Sequence, residues 1–366
     1  MARGKRDGLL IAGGGLSGCL AALAMARKRP DVPILLFEEK ERFGGDNDWT
    51  LLDPELADED RGLIEPLIDQ QWEGYYVAFP GNSRKFRTGC SSIPAERIDA
   101  HVREVLGPDQ YRLGTRIAAV REREIVLTDG ETIKADGALD ARGAANLSML
   151  DLGWRKFVAR DYRFERPHGL DRPVLIDATV DQAGHCRFVT CLPLDEHRMR
   201  VEDNLHSNDH ELDREAGGAR LDAYVSKRRW APGVVERETS GVVPIALGGD
   251  FDAFLRIGGA RVAKLGLRGG LFQPTTGSPL PDAIRAAAIL ARQPSFDGAA
   301  LHDLFSAHAL KLWKQRAAYR TFDTGLIRGK SCGALEGLYR LPGSLIERFR
   351  SGKLTAFDRM RVLRAD

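Results

Sequence analysis

The uncharged run from Gly8 to Ala26, with Gly13-x-Gly15-x-x-Gly18 at its centre, constrains this chain more than any other feature. Arg3, Lys5 and Arg6 precede it and Ala24-Met25-Ala26 closes it, an order shared with secretory signals. Glycine inside an apolar helix costs about 1 kcal/mol relative to alanine. Gly13, Gly14, Gly15 and Gly18 therefore argue against a signal helix or a membrane span. A nucleotide-binding unit gives the same glycines separate tasks. Residues Gly8 to Ala12 read as a short buried strand, Leu20 to Lys28 as a helix, and Ile34 to Phe37 as a second buried strand. Gly13 then permits the tight turn out of the first strand, Gly15 lets the backbone approach a pyrophosphate, and Gly18 lets the helix pack closely on the sheet. The helix start offers unpaired N–H groups and the positive end of a dipole to phosphate. Glu38, about 20 residues beyond Gly18, suits a hydrogen bond to a ribose. Its neighbour Glu39 should face the other way, because successive strand residues alternate.

The segment after the second strand separates the dinucleotides. An NAD domain ordinarily continues as a regular βαβ run, whereas Arg42 to Trp49 reads as a loop. Ile125 to Gly130 with Thr132-Ile133 reads as a hairpin, and Gly137 to Gly143 as a strand ending in a glycine turn. A first βαβ unit at the N-terminus, with the rest of the domain returning in pieces, is the pattern of FAD domains. With 366 residues and 43% hydrophobic content, the chain can bury one large core or two smaller ones. The expected class is α/β: a Rossmann-like FAD-binding domain of the glutathione-reductase/hydroxylase type, an interleaved α+β substrate domain, and C-terminal helices. The expected boundaries are 1–43, 91–151 and 257–292 for the FAD domain, 44–90 and 152–256 for the substrate domain, and 293–366 for the helical segment. A net charge of +2 gives no reason to expect nucleic acid as a partner. Cys19, Cys90, Cys186, Cys191 and Cys332 form no C-x-x-C pair. They fit a reducing compartment, hence a cytoplasmic protein, rather than a disulfide framework or a zinc site.

Further segments carry a resemblance. Trp72-Glu73-Gly74-Tyr75-Tyr76-Val77-Ala78-Phe79-Pro80 is followed by Ser-Ile-Pro-Ala-Glu-Arg from Ser92 to Arg97. Arg187 to Leu194 leads to Arg200-Val201-Glu202-Asp203-Asn204, then to Gly241-Val242-Val243-Pro244-Ile245. The run from Gly266 to Gly277, with Pro279-Leu280-Pro281 behind it, comes last. In this order they resemble the bacterial lycopene β-cyclases of carotenoid synthesis, from about Asp7 to the C-terminus. The run from Gly266 to Pro281 resembles that family's second flavin segment, in which a glycine-rich loop enters a helix beneath the isoalloxazine ring. The resemblance makes Gly269, Gly270, Thr275, Thr276 and Gly277 cofactor-binding candidates, with the helix running from Asp282 to Ala291. Two departures stand out. Asn204 occupies a position where related cyclases usually carry Thr, and Asn47-Asp48-Trp49-Thr50 replaces a typical Asn-His-Thr-Trp-Ser.

The resemblance implies a non-redox isomerisation: a terminal alkene of lycopene is protonated, the cation closes a six-membered ring, and a proton leaves. Reduced FAD supports the reaction without being consumed, and NAD(P)H is the implied electron donor. Such chemistry needs an acid in a dry, apolar cavity, where burial raises a carboxyl pKa. Glu202 is the candidate by its match to the family's Glu-Asp motif, with Asp203 as its supporting neighbour; on a strand only one of the two can face the cavity. Aromatic faces such as Trp49, Trp72 or Tyr75 would add cation–π attraction. A flavin monooxygenase or a prenyl/carotenoid reductase on the same fold is the enzymatic alternative, and a flavin-binding carotenoid carrier the non-enzymatic one.

His206 and His210 have i, i+4 spacing but sit in what reads as a polar loop, so no metal site is expected. Glu211 to Arg229 reads as a solvated, charged helix. Between Arg340 and Arg364 basic residues interleave with Leu345, Ile346, Phe349, Leu354, Phe357, Met360 and Leu363. That pattern fits either peripheral docking on the inner face of a membrane or an amphipathic cover over the core.

Overall fold

The computed structural model describes residues 8–182, 184–230, 232–259, 261–329 and 331–364; Arg3, Lys5 and Arg6 lie outside them. The strand Leu9–Ala12 is buried at every position because it lies inside a parallel sheet. Gly137–Asp140 pairs on one side and Ile34–Phe37 on the other. Ala263–Lys264 and Tyr111–Arg112 form the edges of this five-stranded sheet. The helix Leu16–Lys28 starts directly at Gly15, four residues before the apolar pattern signalled it. Its small face (Ala21, Ala22, Ala24) packs against the helix Leu280–Ala291, which is equally rich in alanine. An antiparallel sheet, Ile117–Arg121, Glu124–Leu127 and Thr132–Lys134, covers the other face of the parallel sheet through Val120, Ile125 and Leu127.

A seven-stranded sheet forms the second layer system, in the order Gly233–Gly249, Leu150–Phe164, Arg198–Ser207, Cys186–Pro193, Val174–Asp177, Tyr75–Phe79, Asn82–Phe86. Its two faces differ. Val158, Met199 and Val201 pack under the helix Arg214–Lys227 with Leu221, Tyr224 and Val225. That helix is therefore half core, and the expectation of a solvated helix is corrected. Against the other face and the sheet's far edge lie the C-terminal helices Ala317–Arg328, Gly333–Arg340 and Gly343–Arg350. Leu345, Ile346, Phe349 and Leu354 are buried there, whereas Phe357, Met360 and Leu363 are exposed. The interleaved basic segment thus covers core as far as Leu354 and again at Val362, and it presents an apolar patch on the outer side of its last turns. Among the described residues no helix is long and apolar enough to cross a membrane.

Cys186 and Cys332 form a disulfide across 146 residues of sequence. This corrects the reading of the cysteines as unpaired and removes the support it lent to a reducing compartment. No local spacing signals a bond between residues so far apart. Cys19, Cys90 and Cys191 are free and buried.

Candidate functional site

Two cavities meet at Trp49, which borders both. The first is a cleft of about 540 Å³ at the C-terminal ends of the parallel strands, lined by Gly13, Gly15, Glu38, Arg142 and Gly266–Arg268 among others. Gly13 adopts φ +98°, the left-handed region that favours glycine. A Cβ on Gly18 would lie 1.9 Å from the Gly13 carbonyl oxygen, so helix and turn approach too closely for any other residue. A Cβ on Gly15 would meet nothing within 4 Å; the backbone there faces open space. Arg268 Nε is buried without a hydrogen-bond partner. Its nearest anion is Asp140, with Oδ1 3.7 Å from Nε. An open glycine turn at the start of a helix, with this cation on the cleft wall, suits a pyrophosphate, so the residues present fit a dinucleotide.

Glu38 lines this cleft, with both carboxylate oxygens turned to backbone: Oε2 accepts from Gly14 N–H at 2.7 Å and Oε1 from Lys40 N–H at 2.9 Å. Glu39 lines it too, paired with Arg116 at 3.0 Å. The expected alternation fails because the strand ends at Phe37. Gly269 and Gly270 are placed elsewhere than expected. A Cβ would strike the Lys264 carbonyl at 2.5 Å and the Phe251 ring at 2.5 Å respectively, so their freedom serves packing, and neither lines the cleft. Gly277 likewise packs against Val243.

The second cavity, about 390 Å³, lies between the seven-stranded sheet and the C-terminal helices. Alternation along Arg198–Ser207 puts Arg200, Glu202 and His206 on its wall. Asp203 points to the opposite face, where its side chain is 1% exposed and bound by Arg187 Nε at 2.6 Å and Arg220 Nε at 2.7 Å. It makes no contact with Glu202 across the sheet, and the supporting role expected of it is corrected to an internal anchor. Glu202 is 20% exposed, with Arg155 Nη1 at 3.4 Å from Oε1. Arg155 also donates to Asn204 Oδ1 at 3.0 Å. Asn204 therefore fixes the cation that flanks Glu202.

The cavity is not uniformly apolar. Leu326, Leu335, Leu338 and Phe349 form one flank, while Asp48, Asp161, Arg198, Arg200 and Arg237 form another. Burial pushes Asp161 up to about 6 and lowers Arg200 to about 10. Asp48 bonds both Arg200 and Arg237, so the residue standing in for the expected His is an ion-pair hub. Trp72 and Tyr75 do not border the cavity; Tyr75 is buried and stacked on Phe86. Phe157, Phe188 and Tyr339 are the aromatics that do, besides Trp49 and Phe349.

Thr275 and Thr276 border the cavity four to five residues before the helix Leu280–Ala291, which starts behind Pro279, two residues ahead of the expected Asp282. Thr275 has φ +66°, an unusual conformation for a β-branched residue. It is held by Asp323, which accepts from Thr275 N–H at 2.9 Å and Oγ1–H at 2.6 Å. Burial pushes Asp323 up to about 7. His206 is buried on its strand rather than in a polar loop. Burial lowers it to about 4, so the ring is neutral, and Nε2 lies 3.2 Å from the Thr275 carbonyl oxygen.

The family model described as lycopene cyclase protein matches residues 8–365. The chain belongs to the lycopene cyclase family. It is 34% identical to the lycopene β-cyclase of Pantoea ananas, covering 97% of this chain and 93% of that one. It is 33% identical to the lycopene β-cyclase of a Paracoccus species, covering 97% and 92%. Among solved structures, a flavin-dependent brominase superposes with TM-score 0.63 at 14% identity, over 96% of this chain and 97% of that chain. A geranylgeranyl bacteriochlorophyll reductase-like protein of Thermoplasma acidophilum superposes with TM-score 0.61 at 15% identity, over 98% and 95%. These likenesses establish the α/β fold with its Rossmann-like parallel sheet. In this member of the family, Arg268, Arg155, Asp161 and His206 line the two cavities and Asp323 holds Thr275 from behind; the sequence alone assigned a role to none of them.

Proposed function

We propose that the chain is a lycopene β-cyclase, converting the open ends of lycopene to β-rings (lycopene to γ-carotene and β-carotene) without net redox change. Bound FAD, reduced by NAD(P)H, would supply an electron-rich ring at the junction of the cavities, favourable to a developing positive charge. Gly13, Gly15, Gly18, Glu38 and Arg268 would hold its nucleotide part, and Thr275 and Thr276 would border its ring end. Glu202 is the acid that gives a proton to the terminal alkene. Arg155 then lies beside the carboxylate that remains. The C-terminal helices close the cavity on one side and keep bulk water from the cation. The exposed Phe357, Met360 and Leu363, with Arg359 and Arg364 beside them, would rest on anionic lipid, where a polyene substrate resides.

The observation that carries this reading is the placement of Glu202 on the cavity wall of a family member, two alternate positions from the His206 that reaches the Thr275 loop. Incubation with lycopene and reduced FAD tests it. A cyclic product of the same mass as the substrate is expected; oxygen insertion or hydrogen addition would overturn it in favour of a monooxygenase or reductase.

A further inference from the structure

Cyclisation ends with loss of a proton from the new ring, and the cavity holds a second carboxyl group suited to receive it. Asp161 lies on the strand Leu150–Phe164, on the same sheet face as Glu202. Its cross-strand partner is Arg200, and Glu202 pairs with Ala159, so the two acids are diagonal neighbours, about 7–8 Å apart at that register. A forming ring can lie between groups so spaced. We propose that Asp161 is the base that removes this proton, a role that rests on the proton-initiated reading of the site. Glu202 O–H breaks as a C–H bond forms at the alkene. A ring C–H then breaks, its electron pair forms the new double bond, and Asp161 gains the proton. Solvent exchange returns Asp161 to the carboxylate and Glu202 to the acid, so no proton or electron is consumed.

The surroundings leave this carboxylate underused. Arg200 Nη1 stands 3.5 Å from Oδ1 and Arg237 Nη1 3.8 Å from Oδ2. Both guanidinium groups are committed elsewhere: Arg200 to Asp48 and to Thr239 Oγ1 at 2.6 Å, Arg237 to Asp48 at 3.1 Å and Glu96 at 3.2 Å. Asp161 Oδ1 is buried with no hydrogen-bond partner. Burial is the main influence on the group; Arg237 and Arg198 favour its charge, and Glu96 and Glu236 oppose it. A carboxyl near pH 6 is mostly ionised at neutrality, yet more basic than an ordinary aspartate. Glu202, by contrast, keeps Arg155 beside it after donating.

The test compares wild type, Asp161→Asn and Asp161→Glu for flavin content, melting temperature, kcat against pH, and the double-bond position of the ring product. In wild type kcat should fall below about pH 6, as Asp161 takes up a proton. Asp161→Asn should keep flavin, lose about 100-fold or more in kcat, lose that acidic limb, and shift its residual product toward rings with the double bond elsewhere. Asp161→Glu should restore at least 10-fold and return the limb at a displaced pH; a merely structural aspartate would move neither limb nor product. Should Asp161→Asn fail to fold, the displaced limb of Asp161→Glu decides alone. Asp161→Asn turning over within threefold of wild type, or an unmoved limb in Asp161→Glu, overturns the role while leaving the cyclase reading intact. Absence of any ring from wild type overturns the cyclase reading first, and this role with it.

Discussion

The glycine-turn cleft and the cavity that holds Glu202 share Trp49 as a wall but are built on different physical terms. The cleft is a backbone construction: what matters at Gly13, Gly15 and Gly18 is a missing Cβ. The cavity is a side-chain construction: Arg155 pairs with Glu202 and Asp161 lies near Arg200 and Arg237, all on one face of the seven-stranded sheet. The lesson is that the first site should be lost through added volume and the second through altered chemistry.

Four experiments press on that contrast. The largest effect belongs to Gly18→Val. Its Cβ would collide with the Gly13 carbonyl at 1.9 Å and cannot be relieved by a rotamer change. No folded, flavin-coloured protein is expected, as read by circular dichroism and flavin absorbance; a yellow, folded variant would refute the backbone account of the cleft. Next comes Glu202→Gln, isosteric and on the cavity wall. Flavin content and melting temperature should hold while ring formation drops by about 10²–10⁴-fold; retained turnover would remove Glu202 from the chemistry.

One residue further along, Asp203→Leu should do the reverse. Arg187 and Arg220 lose their shared partner inside the sheet, and breaking a buried pair costs about 3–5 kcal/mol. Melting temperature and denaturation midpoint should fall, while the properly folded fraction still cyclises. An active-site defect without loss of stability would break the two-faced picture of this strand.

The smallest effect is that of Asp323. Its folded pKa near 7 lies above the ordinary aspartate value of about 3.9, so the folded state binds the proton more tightly than the unfolded one. Its contribution is therefore fully present below about pH 4 and is lost as pH rises to about 7. Asp323→Asn should flatten that decline in melting temperature; an identical slope in both proteins would show that Asp323 does not titrate there.

Much of the fold was legible locally. Strand, glycine turn, helix and second strand succeed one another between Leu9 and Phe37, and each announces itself through near neighbours. Glu202 was legible only through its family motif, because alternation alone cannot tell which face of a sheet is covered by a helix and which by a cavity. Gly269 and Gly270 carried the same composition as Gly13 and Gly15. Whether a glycine admits a ligand or a neighbouring Phe251 ring depends on what packs beside it. Arg155 and Asp161 lie on a long strand whose partners are dozens of residues away, and Asp323 on a helix with no motif of its own.

The chain's own order of residues determined the glycine turn, its helix and the α/β class, because backbone freedom and hydrophobic period act over a few residues. Folding in three dimensions decided which of Glu202 and Asp203 meets the cavity, brought Asp161 beside the first, joined Cys186 to Cys332 and set Asp323 under Thr275. Those outcomes depend on desolvation and charge between groups that only packing brings together.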